Sequence, residues 1–376
     1  MLVKHPGCSD LIFLSWIPEP GSTELSDVTS KAYTEITQYL SANNAIPMQE
    51  RIWGDLSLAP EILSVRRGIL DNSGSDNALP PTYIGGTSRA GSGLAGIHMI
   101  ALHNPTGGKS SVVEWKGQAV GHMAKGHDAQ YLAMSDVGRL VRIGDQSRDE
   151  EVRLTFEITD KILTRTDWSF QDVRRTWYFL HNILDWYGDF NQVRNAAFQR
   201  LGLGGNDSTK IIPASTGIRG RNAACGWCAL DLLAIRPLEG HRFEVNRLEN
   251  PKQNEATEYG SAFSRGLAIT LDSCRYIFVS GTASINEKGE SVHNGDFESQ
   301  TIRTIETVKT LLAAGGAGIS DICQATAFLK NTDDIESYRR IAARMGVRVD
   351  ETIYTVADVC RDELLFELDA TAVVPL

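Results

Sequence analysis

Laid against itself at an offset of 149 residues, the chain brings residues 155–182 over residues 304–331 without a gap. Thr155, Glu157, Leu163, Asp172, Phe179, Leu180 and Asn182 then face Thr304, Glu306, Leu312, Asp321, Phe328, Leu329 and Asn331. Chance would give about two identities in such a window. The pattern around them says more. In both copies a stretch of helical period ("EEVRLTFEITDKIL" and "SQTIRTIETVKTLL") leads through a turn into a strand-like run ("VRRTWYFLHN" and "ICQATAFLKN"). A second helical stretch follows ("NQVRNAAFQRLG" and "DIESYRRIAARMG"), and each copy closes on strands that end alike, "ALDLLAIRP" and "ELDATAVVP". The shared order of strand, helix, strand, helix, strand, strand predicts two tandem α+β domains, each a mixed sheet with two helices on one face.

The polar, proline-containing stretch from 237 to 260 marks the boundary between them. The first domain is expected at 1–240, a linker at 241–259 and the second domain at 260–376. Domain one then carries an irregular N-terminal extension, with an amphipathic helix near "DVTSKAYTEITQYL" and strand-like runs at "IHMIALH" and "SVVEWKGQAVG". Within it "GSGLAG", residues 91–96, has glycine spacing that could hold a dinucleotide, but a loop precedes it and a strand follows, the reverse of what that site needs. It reads as a glycine-rich loop.

A formal charge of −10 and the lack of any basic run argue against nucleic-acid binding. The early apolar run "LIFLSWI" is too short for a signal peptide core and reads as a strand, and no segment has the ~20 apolar residues of a membrane span. No membrane partner and a cytoplasmic location are therefore expected. Cys225 and Cys228 form a lone C-x-x-C with neither a helix start nor a second pair, so buried free thiols are expected there rather than a redox or metal site.

In "LLFELDATAVV", alternation puts Leu364, Phe366, Leu368, Ala370 and Ala372 on one face and Leu365, Glu367, Asp369 and Thr371 on the other. The first face suits helices. The second is polar but has apolar flanks, which fits half-burial against a neighbour. In the first copy Ala229 stands at the position of Glu367, while Leu230 and Asp231 match Leu368 and Asp369. The fold itself has no need of an acid there. Cys360 comes just before the turn "RDE", so a hairpin brings it toward the same end of the sheet, where a thiol and a partly buried carboxyl can form an acid–base pocket.

The C-terminal copy, from "YIFVSGTASINEKGE" through "ELDATAVV", resembles a RidA/YjgF domain in its "SG" strand end and its closing acidic strand. The chain also resembles the chorismatases, which carry two such domains, through "PASTGI", "ENPKQNEATEYGSAFSRG", "SGTASI", "ESVHNGD" and "ADVCRDELLFELD" in the same order. The resemblance implies a homotrimer with sites in clefts between subunits, a small carboxylated substrate such as chorismate or a related cyclic enol ether, and neither cofactor nor metal. It implies Glu367 as the acid that protonates the enolpyruvyl ether so that water releases pyruvate, leaving a dihydroxycyclohexadiene or hydroxybenzoate. It implies Cys360 as the residue found in members that form a hydroxybenzoate. Arg265 matches an arginine that pairs with a substrate carboxylate, and Ser215, Tyr259, Phe263, Gly281, Thr282 and Ala283 fall in the matching stretches as substrate contacts. An imine-hydrolysing RidA activity is the alternative, and a non-catalytic binding trimer the third. The carboxylate-gripping arginine of the imine hydrolases falls near Glu351, where the nearest basic residue is Arg348.

Overall fold

The computed structural model describes residues 2–4, 10–22, 24–73, 79–87, 91–103, 110–141, 146–204, 211–224, 226–251, 253 and 262–376. The two repeats stand out at once. The middle unit runs β6 (Ser111–Trp115), β7 (Gln118–Lys125), β8 (Ala129–Met134), α3 (Arg148–Arg165), β9 (Val173–Leu180), α4 (Tyr187–Arg200), β10 (Ala214–Arg219) and β11 (Cys228–Pro237). The C-terminal unit runs β12 (Glu244–Arg247), β13 (Gly266–Thr270), β14 (Cys274–Ala283), α5 (Phe297–Ala314), β15 (Ile322–Leu329), α6 (Ile335–Arg344), β16 (Ile353–Val356) and β17 (Phe366–Pro375). Their sheets have the same order, β6-β7-β8-β11-β9-β10 and β12-β13-β14-β17-β15-β16. In each, the pair joined through the second helix is parallel, β9 with β10 and β15 with β16, and the remaining pairs are antiparallel.

The sequence pattern puts residues 1–240 in one domain with an irregular extension, yet the structure shows two sheets within that span. The first is β1 (Leu2–Lys4), β2 (Leu11–Trp16), β3 (Ala45–Gly54), β4 (Thr82–Gly85) and β5 (Leu94–His103), with α1 (Leu25–Ala42) and α2 (Ala59–Ser73). Its order, β1-β2-β5-β3-β4, repeats that of the other two without their outermost strand. The plan is hidden in the sequence because Glu50 and Arg51 interrupt the apolar run of β3. Both are buried by pairing: Glu50 accepts from Tyr33 Oη (2.5 Å) and Arg66 Nη2 (2.6 Å), and Arg51 lies over the Trp177 ring and 3.7 Å from Asp231. Part of the expected linker also departs from expectation. Glu244–Arg247 pairs with β13 as strand β12, an edge strand held by backbone bonds with largely exposed side chains, so no apolar alternation announces it.

Each unit lays its helices on one face of its own sheet. The α5 helix starts at the Asp296 cap, whose carboxylate accepts from Ser299 N, a contact worth about 1 kcal/mol in such helices. It buries a stripe through Thr301, Thr304, Ile305, Val308, Leu311 and Leu312 against Leu368 and Ala370 of β17. Equivalent clusters cover the outer faces of the first and middle sheets. The three inner faces then pack on one another. A single core joins Phe13 and Ile100 with Tyr131, Trp177, Phe179 and Leu233 and with Tyr276, Phe278, Phe328 and Ile353.

In each unit a polar side chain at the same register, Gln49, Arg175 or Gln324, crosses to the next sheet. Gln49 Nε2 on β3 donates to Met134 O (2.7 Å) and Leu232 O (3.1 Å) of the middle unit, and Gln324 Nε2 on β15 donates to Leu14 O (3.1 Å) of the first. Arg175 on β9 donates to Asp369 Oδ2 (3.0 Å) of the C-terminal unit. Gln49→Ala should strip two buried carbonyls of a donor and cost roughly 1–3 kcal/mol. The expected reading is a lower urea midpoint with unchanged slope.

Candidate active site

Glu367 lies in β17 opposite Phe328, with 4% of its surface exposed. Its side chain has room because β14 bulges. Val279 pairs with Ala370 but Thr282 pairs with Leu368, so one extra residue is inserted and Gly281 turns toward the carboxyl. A Cβ on Gly281 would sit 2.2 Å from Glu367 Oε1, so only glycine leaves space for the acid. That oxygen is buried and has no hydrogen-bond partner among the described residues. Burial, followed by the charge of Asp369, pushes the Glu367 carboxyl up to about 8 against the pull of Arg175 and Arg265. At neutral pH it carries its proton.

The carboxyl opens onto a cavity of about 160 Å³ between the middle and C-terminal units. From the C-terminal unit come Phe263 and Arg265 just before β13, Gly281 and Ala283 of β14, Ile285, Cys360 and Arg361. From the middle unit come Ser215 and Gly217 of β10 and Tyr187, Asn191 and Arg194 of α4. The two walls are tied across the junction. Ser215 N donates to Ser280 Oγ (2.7 Å), and Thr216 Oγ1 accepts from Arg175 Nη2 (2.6 Å) and Gly281 N (3.1 Å) while donating to Asp369 Oδ2 (2.9 Å). Trp177 Nε1 also donates to Asp369 (3.1 Å).

Cys360 is partly covered as a residue, but burial of its thiol, then the neighbouring Glu367, pushes it up to about 12. It is a neutral S–H here, suited to fill space and donate weakly, not to attack as a thiolate. Two buried guanidinium groups, Arg265 and Arg194, reach the same cavity. Arg194 donates to Asn191 Oδ1 (2.6 Å) and lies near the rings of Phe190 and Phe263, and no carboxylate among the described residues pairs with it. The comparison with the first unit explains why. Arg66, eighth residue of α2 as Arg194 is of α4, pairs with Glu50. Pairing registers put Thr176 of β9 at the place of Glu50, so the middle unit offers Arg194 no acid.

Seven expected site residues, Glu367, Cys360, Arg265, Phe263, Gly281, Ala283 and Ser215, line this one cavity. Thr282 does not: the strand alternation turns it away, and its hydroxyl donates to Ser280 O (2.8 Å). Tyr259 lies outside the described residues, as does Cys225 of the C-x-x-C pair, while Cys228 is a buried free thiol. Tyr187, Asn191 and Arg194 escape the sequence reading, although their spacing along α4 places them on one helix face.

The two pseudo-equivalent junctions carry no acid at this position. Opposite Phe179 stands Ala229, and opposite Trp53 stands Gly96, at the register of Glu367. Between the first and middle units, Thr82 donates to Asp231 (2.5 Å) and Ile84 forms an antiparallel bridge with Asn222. Between the C-terminal and first units Ile353 presses on Gly96, where a Cβ would come within 2.7 Å of its Cδ1.

The family model for Endoribonuclease L-PSP matches residues 259–374. A 3-hydroxybenzoate synthase of Streptomyces hygroscopicus is 26% identical over 266 residues, covering 65% of this chain and 74% of its own length. A chorismatase of Streptomyces rapamycinicus is 27% identical over 226 residues, 53% of this chain and 64% of its own. A RutC family protein of Pyrococcus abyssi is 32% identical over 98 residues, 26% of this chain and 77% of its own. A chorismatase crystal structure, 19% identical, shares the fold with a TM-score of 0.62 over 87% of this chain and 93% of that one.

The protonated state of Glu367 has a measurable cost. The unfolded chain releases this proton near pH 4.3 and the folded chain near 8, so the folded state binds more protons in between and loses stability as pH rises through that window. Glu367→Gln should therefore melt higher than the unmodified protein at pH 8, with the gap closing as pH falls toward 4.5. Equal melting temperatures at both pH values would show that the carboxyl is not held neutral.

Proposed function

The chain is a chorismatase-like member of the RidA superfamily, and on that premise we propose that it is an enzyme that cleaves chorismate or a related cyclic enol ether by proton transfer from Glu367. The observation that carries the reading is a neutral carboxyl, its Oε1 without a partner among the described residues, facing a cavity that also holds two buried arginines. Glu367 gives its proton to the methylene carbon of the enolpyruvyl group. The C–O carbon becomes an oxocarbenium ion, and the carboxylate left behind offsets the new positive charge. Capture by water and collapse of the hemiketal release pyruvate and the ring alcohol, and the proton lost by the water restores Glu367. In the variant that yields a hydroxybenzoate, ring oxygen and hydrogen leave as water, so no net water is consumed.

Arg265 and Arg194 fit a substrate with two carboxylates, each a charge-assisted partner for one guanidinium. Cys360, a compact neutral thiol on the wall beside Glu367, favours the hydroxybenzoate outcome by narrowing the space open to water. The imine-hydrolase alternative has less support. Arg348 is ion-paired with Glu351 at 2.8 Å and donates to Ser320 O, and it does not line the Glu367 cavity. One chain supplies both walls of the cleft, so the reading does not require a homotrimer to complete it.

The protein incubated with chorismate should release pyruvate, followed by a coupled reduction, with an aromatic or dihydroxydiene product resolved by chromatography. Activity should fall above pH 8 as Glu367 ionises, and Glu367→Gln should lose at least about a hundredfold in kcat. Absence of pyruvate removes the substrate, and an active Glu367→Gln variant removes the mechanism. Arg194→Met should raise KM for chorismate by at least about tenfold with a smaller change in kcat. An unchanged KM would take Arg194 out of the binding site.

A further inference from the structure

At one end of the shared core the three units meet in a cluster of polar side chains that the proposed chemistry does not use. Asp10 precedes β2, His127 and Asp128 form the turn between β7 and β8, Asp272 and Ser273 lie between β13 and β14, and His241 belongs to the segment before β12. Tyr131 Oη donates to Asp10 Oδ2 (2.9 Å), and Leu11 N donates to Tyr276 Oη (3.1 Å). Asp128 Oδ2 accepts from Ser273 N (3.1 Å) and Oγ (2.7 Å), which fixes a carboxylate that is 1% exposed. His241 Nδ1 stands 2.8 Å from Asp272 Oδ2 and 3.7 Å from Asp128 Oδ1.

We propose that Asp128, His241 and Asp272 bind a divalent transition metal, zinc by the character of the donors, as a structural clasp between the middle and C-terminal units. One donor atom from each residue lies within 4.8 Å of the other two. Around a tetrahedral zinc, with bonds of about 2.0–2.1 Å, donor atoms stand about 3.3–3.4 Å apart. The His241 nitrogen stands 2.8 and 3.7 Å from the two carboxylate oxygens, which straddles that spacing. One imidazole with two carboxylates suits zinc or its neighbours, while calcium takes six to eight oxygens. The donors are already oriented. Ser273 holds Asp128, and Arg242 N donates to the second oxygen of Asp272 (3.2 Å). The outer side is open, with the side chains of His241 30% and Asp272 46% exposed, and leaves the fourth position to water. His127 stands next to it, its Nδ1 2.5 Å from Asp128 Oδ1.

Tag-free protein stripped with a chelator and titrated calorimetrically with Zn²⁺ should bind one equivalent per chain and melt at a higher temperature, with no matching response to Mg²⁺. Asp272→Asn, at a half-exposed position that the fold tolerates, and His241→Ala should each weaken Zn²⁺ binding at least tenfold. The proposal fails if the unmodified protein retains no more Zn²⁺ than Mg²⁺ after dialysis, or if both variants bind as tightly as it does.

Discussion

A sheet of this kind has two faces to bury, and its own pair of helices covers only one. Everything else in the molecule follows from how the second face is covered. Here each sheet's inner face rests on the other two, and the polar crossings from Gln49, Gln324 and Arg175 fix how they dock. The crossing at Arg175 serves two ends. It neutralises Asp369 across the junction, and by doing so it limits how far that carboxylate can raise Glu367. Burial pushes Arg175 itself down to about 10, still well above neutral pH, so the guanidinium keeps its charge.

Much of this was legible in the sequence where a repeated pattern or a strict alternation carried it. The alternation in β17 placed Phe366, Leu368 and Ala370 toward the helices and Glu367 on the other face, and that is how the strand packs. The contrast with Ala229 singled out the acid. Other features were masked for physical reasons. The first unit pairs its buried charges at long range, so β3 looks like surface when read alone. Thr282 entered only through the matching stretch, whereas in the strand it alternates with Gly281 and Ala283 and turns away from the cavity. Arg194 was missed because its meaning depends on an absence: Thr176 where the first unit has Glu50. That comparison exists only once the three sheets are superposed by register.

The electrostatics of the cavity are unusual in their combination. Its acid and its thiol are both neutral, and its charged members are cations, of which Arg265 and Arg194 are buried from solvent. A guanidinium such as Arg194, held by one amide and aromatic rings, has lost much of its hydration without gaining an anion. An incoming carboxylate meets partners that have already been dehydrated, so binding and orientation arise from the same contacts.

Joining the three units in one chain also changes how the molecule can vary. In a ring of identical subunits every substitution appears three times, so a residue that suits a reactive cleft is imposed on all of them. Here Gly96, Ala229 and Glu367 occupy one register but are encoded separately. One junction can specialise in proton transfer while at its two counterparts Ile353 packs on Gly96 and Thr82 bonds to Asp231 across the seam. Loss of symmetry thus divides labour within a single polypeptide, with two junctions free to be optimised for cohesion and the third for chemistry.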